Sequence, residues 1–285
     1  MVETLVVLDP LADLVRFEGV ASAVAAATDA VDAVLRDRGL RRITDEQLSQ
    51  ALLAGATANA TLSGNPDQWR VGALRLAAEL TPLAALIRVA PGQALARAHG
   101  VVARGVVPDG DLGKINSEPG AAARMNSLAE LLTRDTSAPA IVVGAVAHAE
   151  IAVVAPFGEA SGLIARAAEH LVLIAAGLDP YGVIVVEAGH AENGARYSAG
   201  LDGYAEGSIS GVKSCCCAAL LRWLVEPSSP RWRTAELVWA TPRDLSNFRL
   251  LRSFGCWRRC RVVEFPTVAG ISWKVGEATR DCCCT

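Results

Sequence analysis

Lysine is almost missing from this 285-residue chain: Lys114, Lys213 and Lys274 stand against 24 arginines. Aromatic residues make up only 5%. No cysteine precedes Cys215, which excludes a disulfide scaffold or a thiolate metal site from the first three quarters of the chain. No stretch of roughly 20 residues is free of charge and helix breakers. The most apolar run, residues 138–157, contains His148 and Glu150, so a buried helix is expected there rather than a membrane span. Met1 to Pro10 carries Glu3 and Asp9, with no basic stretch and no small-residue cleavage site, so no leader is expected and the cytoplasm is the default compartment. Neither a Walker loop nor G-x-G-x-x-G occurs, which removes support for the common nucleotide-binding sheets. Scarce lysine with abundant alanine suggests a GC-rich coding sequence, hence a bacterial source.

What is present is globular: 52% hydrophobic residues and 20% charged. The averages hide a seam near residue 212. All eight cysteines and five of six tryptophans lie beyond it, while all four histidines lie before it. Alanine falls from 45 residues before the seam to 6 after it. The first part carries net charge −9 and the second +6, which together give the −3 of the whole. We therefore divide the chain into a helical domain, 1–212, and a Cys/Trp/Arg-rich tail, 213–285. Three readings of the tail stay open. Cys256-x3-Cys260 has the one ligand-like spacing, with no histidine after it. Cys282-Cys283-Cys284-Thr285 fits a disulfide or lipidated terminus formally, without aliphatic middle positions. The third is a GC-rich gene read one base out of frame, which yields Arg, Trp, Cys and Pro. The tail has no sustained periodicity, and an irregular or aberrant segment is the expectation.

The first 212 residues read as all-α, a helical bundle. Val20, Val24, Ala27 and Val31 recur at 3- and 4-residue steps on one face. Thr44-Asp45-Glu46-Gln47 is a capping box. Ser63 to Asp67 reads as a loop, and one long helix is expected from Gln68 to Val89. Further helices are expected from Pro91, over 121–134, from Ser137 to about Ala155, from Gly162 to Ala176, and over 194–206. Residues 183–186 read as a short β-like run or an extended strap. No β–α–β alternation is visible.

Between the two most apolar helices the chain reads Ala155-Pro156-Phe157-Gly158-Glu159-Ala160-Ser161-Gly162-Leu163-Ile164-Ala165-Arg166. This twelve-residue stretch resembles the active-site loop of Fic-type (Fido) proteins, His-Pro-Phe-x-Asp/Glu-Gly-Asn-Gly-Arg-x-x-Arg. Pro156, Phe157, Gly162 and Arg166 match, and Glu159 holds the acidic position. Ala155 replaces the histidine, Ala160 and Ser161 replace Gly-Asn, and Leu163 replaces the first arginine. The helix order agrees over about residues 20–210.

The resemblance implies a Fido-like helical domain that has lost its general base, since alanine cannot take a proton from a target hydroxyl. It implies ATP and Mg²⁺ as the ligands of an intact site. The positions left to hold them are Glu159 for the metal, Ser161 and Gly162 for a backbone anion nest, and Arg166 for phosphate. Asn59-Ala60-Thr61-Leu62-Ser63-Gly64 resembles the family's inhibitory segment, with Ser63 where a glutamate belongs. Plainer roles stand beside these. Arg166 reads equally as a surface charge paired with Glu159 or Glu169, Glu159 as a solvated acid, and Ser161 as a helix cap. His99 and His170 read as helix-surface residues. His190 is expected in a loop after a helix, where Val186 to His190 would line one end of a cleft. His148-x-Glu150 has the spacing of a zinc deaminase motif, but no Pro-Cys-x-x-Cys follows, and His148 reads as satisfied inside the helix packing. The expectation is a pseudoenzyme with residual nucleotide or protein-partner binding. The alternatives are an AMP transferase working without the histidine and a structural module, such as a homo-oligomer subunit. An acidic main domain argues against nucleic acid.

Overall fold

The computed structural model describes residues 9–17, 19–36, 44–207, 261–264 and 274–277. The chain divides into two compact units, Met1–Leu224 with Glu264–Lys274, and Val225–Val263 with Val275–Thr285. All the helices among the described residues belong to the first. The expected seam at 212 and every cysteine lie outside the described residues. Within the expected tail, two short strands, β1 (Arg261–Glu264) and β2 (Lys274–Glu277), pair with each other.

The helices run α1 Pro10–Leu14, α2 Val20–Leu35, α3 Asp45–Leu62, α4 Pro66–Ala78, α5 Leu80–Ile87, α6 Pro91–Val102, α7 Ala121–Thr133, α8 Ala140–Val154, α9 Ser161–Ala175, α10 Val186–Asn193 and α11 Ala195–Ala205. The helical domain is therefore all-α, as its composition requires. At the head of α3 the capping box is complete: Gln47 N–H donates to Thr44 Oγ1 at 3.2 Å, and Thr44 N–H to Gln47 Oε1 at 3.0 Å. Such a cap contributes about 1 kcal/mol.

The expected long helix from Gln68 to Val89 is two helices. Pro82 has no N–H, and its ring would collide with the carbonyl four residues back, at Ala78, where α4 stops. Glu79 turns the corner at φ −97°, ψ 2°, and α5 starts again at Leu80. Pro66 opens α4 rather than belonging to the preceding loop. Residues 183–185 form an extended strap leading into α10.

The core is organised around α8. Ile141 to Ile151 are buried without exception, so this helix is apolar round its whole circumference and must lie inside. It packs as a hairpin on α9, with α1, α2, α7 and α11 against α8 and with α3, α5, α6 and α10 against α9. Gly144 permits the close α8–α9 approach: a Cβ there would stand 3.3 Å from the Glu169 side chain and 3.4 Å from its carbonyl oxygen. Gly72 does the same where α4 crosses α6, since a Cβ would fall 2.0 Å from the Val102 carbonyl oxygen. No helix among the described residues is long and apolar enough to cross a membrane.

Candidate functional site

The turn joining α8 to α9 holds the motif-like stretch. Ala155 ends α8 in the left-handed conformation, φ 49° and ψ 48°, and is the one non-glycine residue at positive φ among the described residues. Its N–H still bonds Ile151 O at 3.0 Å. The loop then closes on itself. Gly158 N–H donates to Ala155 O (3.1 Å), Ala160 N–H to Phe157 O (3.2 Å), and Ser161 N–H to Gly158 O. Phe157 N–H donates to Ser161 Oγ at 2.9 Å. Asn116 straps the outside, its side-chain amide on Ala155 O (2.8 Å) and its N–H on Pro156 O (2.7 Å). Backbone donors at 157, 158, 160 and 161 are thus spent within the loop.

The expected site residues separate. Glu159 is exposed, and Gln68 Nε2 reaches its carboxylate only at 3.4 Å. Ser161 is buried and serves Phe157 rather than capping α9. Gly162 leaves room for Arg166, whose Nη1 and Nη2 lie 3.4 and 3.5 Å from where a Cβ would be. Arg166 is 2% exposed, so it is not a surface charge, and it pairs with neither Glu159 nor Glu169. Its Nε donates to Asn59 Oδ1 at 2.7 Å, Nη2 to Asn59 O at 3.3 Å, and Nη1 to Tyr197 Oη at 3.0 Å. The segment Asn59–Gly64 does lie against the loop. Asn59 also donates to Leu163 O at 3.3 Å, while Ser63 Oγ turns back to Ala60 O.

Beneath the loop lies a buried polar cluster that the sequence reading did not assemble. Tyr197 Oη, from α11, contacts His148 Nε2 at 2.9 Å. His148 Nδ1, from α8, contacts Glu169 Oε2 on α9 at 2.6 Å, and His190 Nε2, from α10, reaches the same oxygen at 2.7 Å. All three are buried. Burial and the neighbouring His190 push His148 down to about 4. Burial alone would raise the Glu169 carboxyl, but the two imidazoles outweigh it and hold the group at about 2. His190 is therefore a core residue on a helix, not a loop residue at the mouth of a cleft. Its signal in the sequence was spacing: Val186, Gly189 and His190 fall on one helical face.

Two more networks correct the plainer readings. His170 is buried, against the expectation of a surface position. Burial opposes its protonation, but Asp179 Oδ2, 3.2 Å from Nε2, and Glu187 Oε1, 3.8 Å from Nδ1, raise it to about 10. Asp179 also accepts Val183 N–H (3.0 Å) and Ile184 N–H (2.8 Å), which fixes the strap. His99 is buried as well, takes Gly113 N–H on Nδ1 at 3.1 Å, and is lowered by burial. Its ring lies 4.9 Å from that of Phe157. Glu150 pairs with Arg124 through two bonds of 2.7 Å and accepts Tyr204 O–H at 2.9 Å. His148 and Glu150, two residues apart on a helix, point roughly 200° apart and serve different networks. Glu150, bound by Arg124 and Tyr204, is not available as the acid/base of a deaminase site.

The fold of the helical domain has a match among solved structures. This chain is similar to a Fic family protein from Desulfovibrio desulfuricans G20, with TM-score 0.55 over 72% of each chain and 15% sequence identity. The chain has the Fido fold. No family model matches its sequence, and no curated protein is similar to it at a significant level. The likeness is thus one of fold, reached through helix order and packing.

Proposed function

We propose that this Fido-fold protein is a pseudoenzyme, one that performs no nucleotidyl transfer and keeps the motif turn as a packing element. Ala155 carries the reading. The position that must supply a base to a hydroxyl holds a methyl group in a left-handed turn. Among the described residues no other base stands in for it. His148 is buried and bonded to Glu169 and Tyr197, and His99 is buried under Phe157.

The remaining ligand positions support the same reading. An ATP–Mg²⁺ site here would be built from Glu159, Ser161, Gly162 and Arg166. A phosphate needs free N–H donors at the head of α9, and the Ser161 hydroxyl and the amides of residues 157, 158, 160 and 161 are already engaged within the turn. It would also have to take Arg166 from Asn59 and Tyr197. Mg²⁺ takes carboxylates together with substrate phosphates, and Glu159 is a single exposed carboxylate. The residues present do not fit Mg²⁺, and residual nucleotide affinity at this turn is weak.

The test is incubation of the full chain with Mg²⁺ and ATP labelled on the α-phosphate, alone and with a bacterial lysate. No label on the chain or on any lysate protein is expected. Label that disappears in Glu159→Ala would establish a transferase working without the histidine instead.

A further inference from the structure

Three divalent-metal ligands from three helices converge under the motif turn: His148 of α8, Glu169 of α9 and His190 of α10. Their ligand atoms lie within 4.8 Å of one another, and all three residues are buried. Both imidazoles aim a nitrogen at the same carboxylate oxygen, at 2.6 and 2.7 Å. Hydrogen bonding alone leaves this set incomplete. Glu169 Oε1 and His190 Nδ1 are buried without a partner, and an unmet buried polar atom costs about 1–3 kcal/mol.

We propose that His148, Glu169 and His190 form a structural site for a divalent transition ion of the Zn²⁺ class. Two imidazoles and one carboxylate are a donor set that such ions prefer over Mg²⁺ or Ca²⁺. Glu169 Oε1, turned to the ion, supplies a fourth donor from the atom that otherwise has none. Tyr197 Oη on His148 Nε2 fixes that ring from behind, as outer partners of metal-bound histidines do. Loading moves the proton of each neutral imidazole to its other ring nitrogen, His148 Nε2 then donating to Tyr197 Oη and His190 carrying its proton on Nδ1, so both ligand nitrogens offer a lone pair to the ion with no net proton release. Donors on a tetrahedral zinc stand about 3.3 Å apart, so the side chains spread by roughly half an ångström. All three ligands are buried, so the role of the site is to pin α10 to the α8–α9 hairpin, independently of whether the turn above it transfers nucleotides.

The test uses the full chain with its eight cysteines alkylated, so that thiolates cannot compete. Titration with Co²⁺ should give one equivalent bound, with weak visible absorption of a nitrogen–oxygen site, and Zn²⁺ at hundredfold excess over its dissociation constant should raise Tm by about 5 °C. Glu169→Gln should abolish both. X-ray absorption of the zinc-loaded wild type, which needs no variant to fold, should show a nitrogen–oxygen shell containing two imidazoles. No bound ion, a shell without imidazole, or unchanged binding in a folded Glu169→Gln would overturn the proposal.

Discussion

Arg166 is held by Asn59, 107 residues earlier in the chain, through its Nε on the side-chain oxygen and its Nη2 on the main-chain oxygen. Among the described residues no carboxylate pairs with this buried guanidinium; Asn59 and Tyr197 carry its solvation. The contact ties α3 to the head of α9 and makes the last letter of the motif part of the core.

Removing that partner exposes the cost of a buried charge. Asn59→Ala removes one acceptor from Arg166, the side-chain oxygen, and keeps the main-chain one, which costs about 1–3 kcal/mol. Asn59→Asp restores an acceptor, now charged, and should recover most of the loss. Urea unfolding of the full chain and both variants measures the difference.

Two histidines of opposite sense set the pH profile of stability. His148 is near 4 in the fold against 6.5 unfolded, so the unfolded chain binds the extra proton, and stability falls as pH drops from 6.5 towards 4. Glu169, near 2 against 4.5, adds a further loss as pH drops from 4.5 towards 2. His170 is near 10 against 6.5, so its contribution is complete below 6.5 and disappears as pH rises towards 10. Thermal unfolding across pH should therefore peak near 6.5 and decline on both sides. A flat profile from 5 to 8 would contradict both assignments.

Ala155 sits at φ 49° with a Cβ, a conformation that costs an L-residue about 1 kcal/mol and glycine nothing. Ala155→Gly should raise stability by roughly 0.5 kcal/mol, since glycine's extra freedom when unfolded offsets part of the relief. Ala155→Val, β-branched, should lower it by more than about 1 kcal/mol. Paired Tm measurements read both changes.

Glu150 lies fully inside, bonded by Arg124 and Tyr204. Glu150→Ala strands the arginine and should cost about 3–5 kcal/mol, whereas Arg124→Met with Glu150→Leu should cost far less, because it removes both charges together. Equal losses would mean that the pair acts through packing alone.

The sequence made the helices legible where periodicity and caps coincide. Thr44 and Gln47 marked the head of α3, and the apolar run through Val142 and Val146 marked α8. It misled at Pro82, where the heptad-like pattern continues across α4 and α5 while the missing N–H breaks the backbone. The Pro-Phe turn and Arg166 were legible as a motif, but their engagement with Asn59 was not, because that contact is decided by packing 107 residues apart. The histidines were the hardest to read. His170 looks like a helix-surface residue and His190 like a loop residue in a one-dimensional pattern, and only the packing of the helices shows that their partners are carboxylates already inside.

The amides of residues 157, 158, 160 and 161 are spent within the motif turn, and Arg166 is held by Asn59. Thermal unfolding of the full chain with and without millimolar ATP and Mg²⁺ asks whether a nucleotide can open these bonds. No measurable shift is expected. A rise of about 5 °C, as expected at hundredfold excess over a dissociation constant, that is lost in Arg166→Lys would contradict it, because a nucleotide would then be drawing Arg166 away from Asn59.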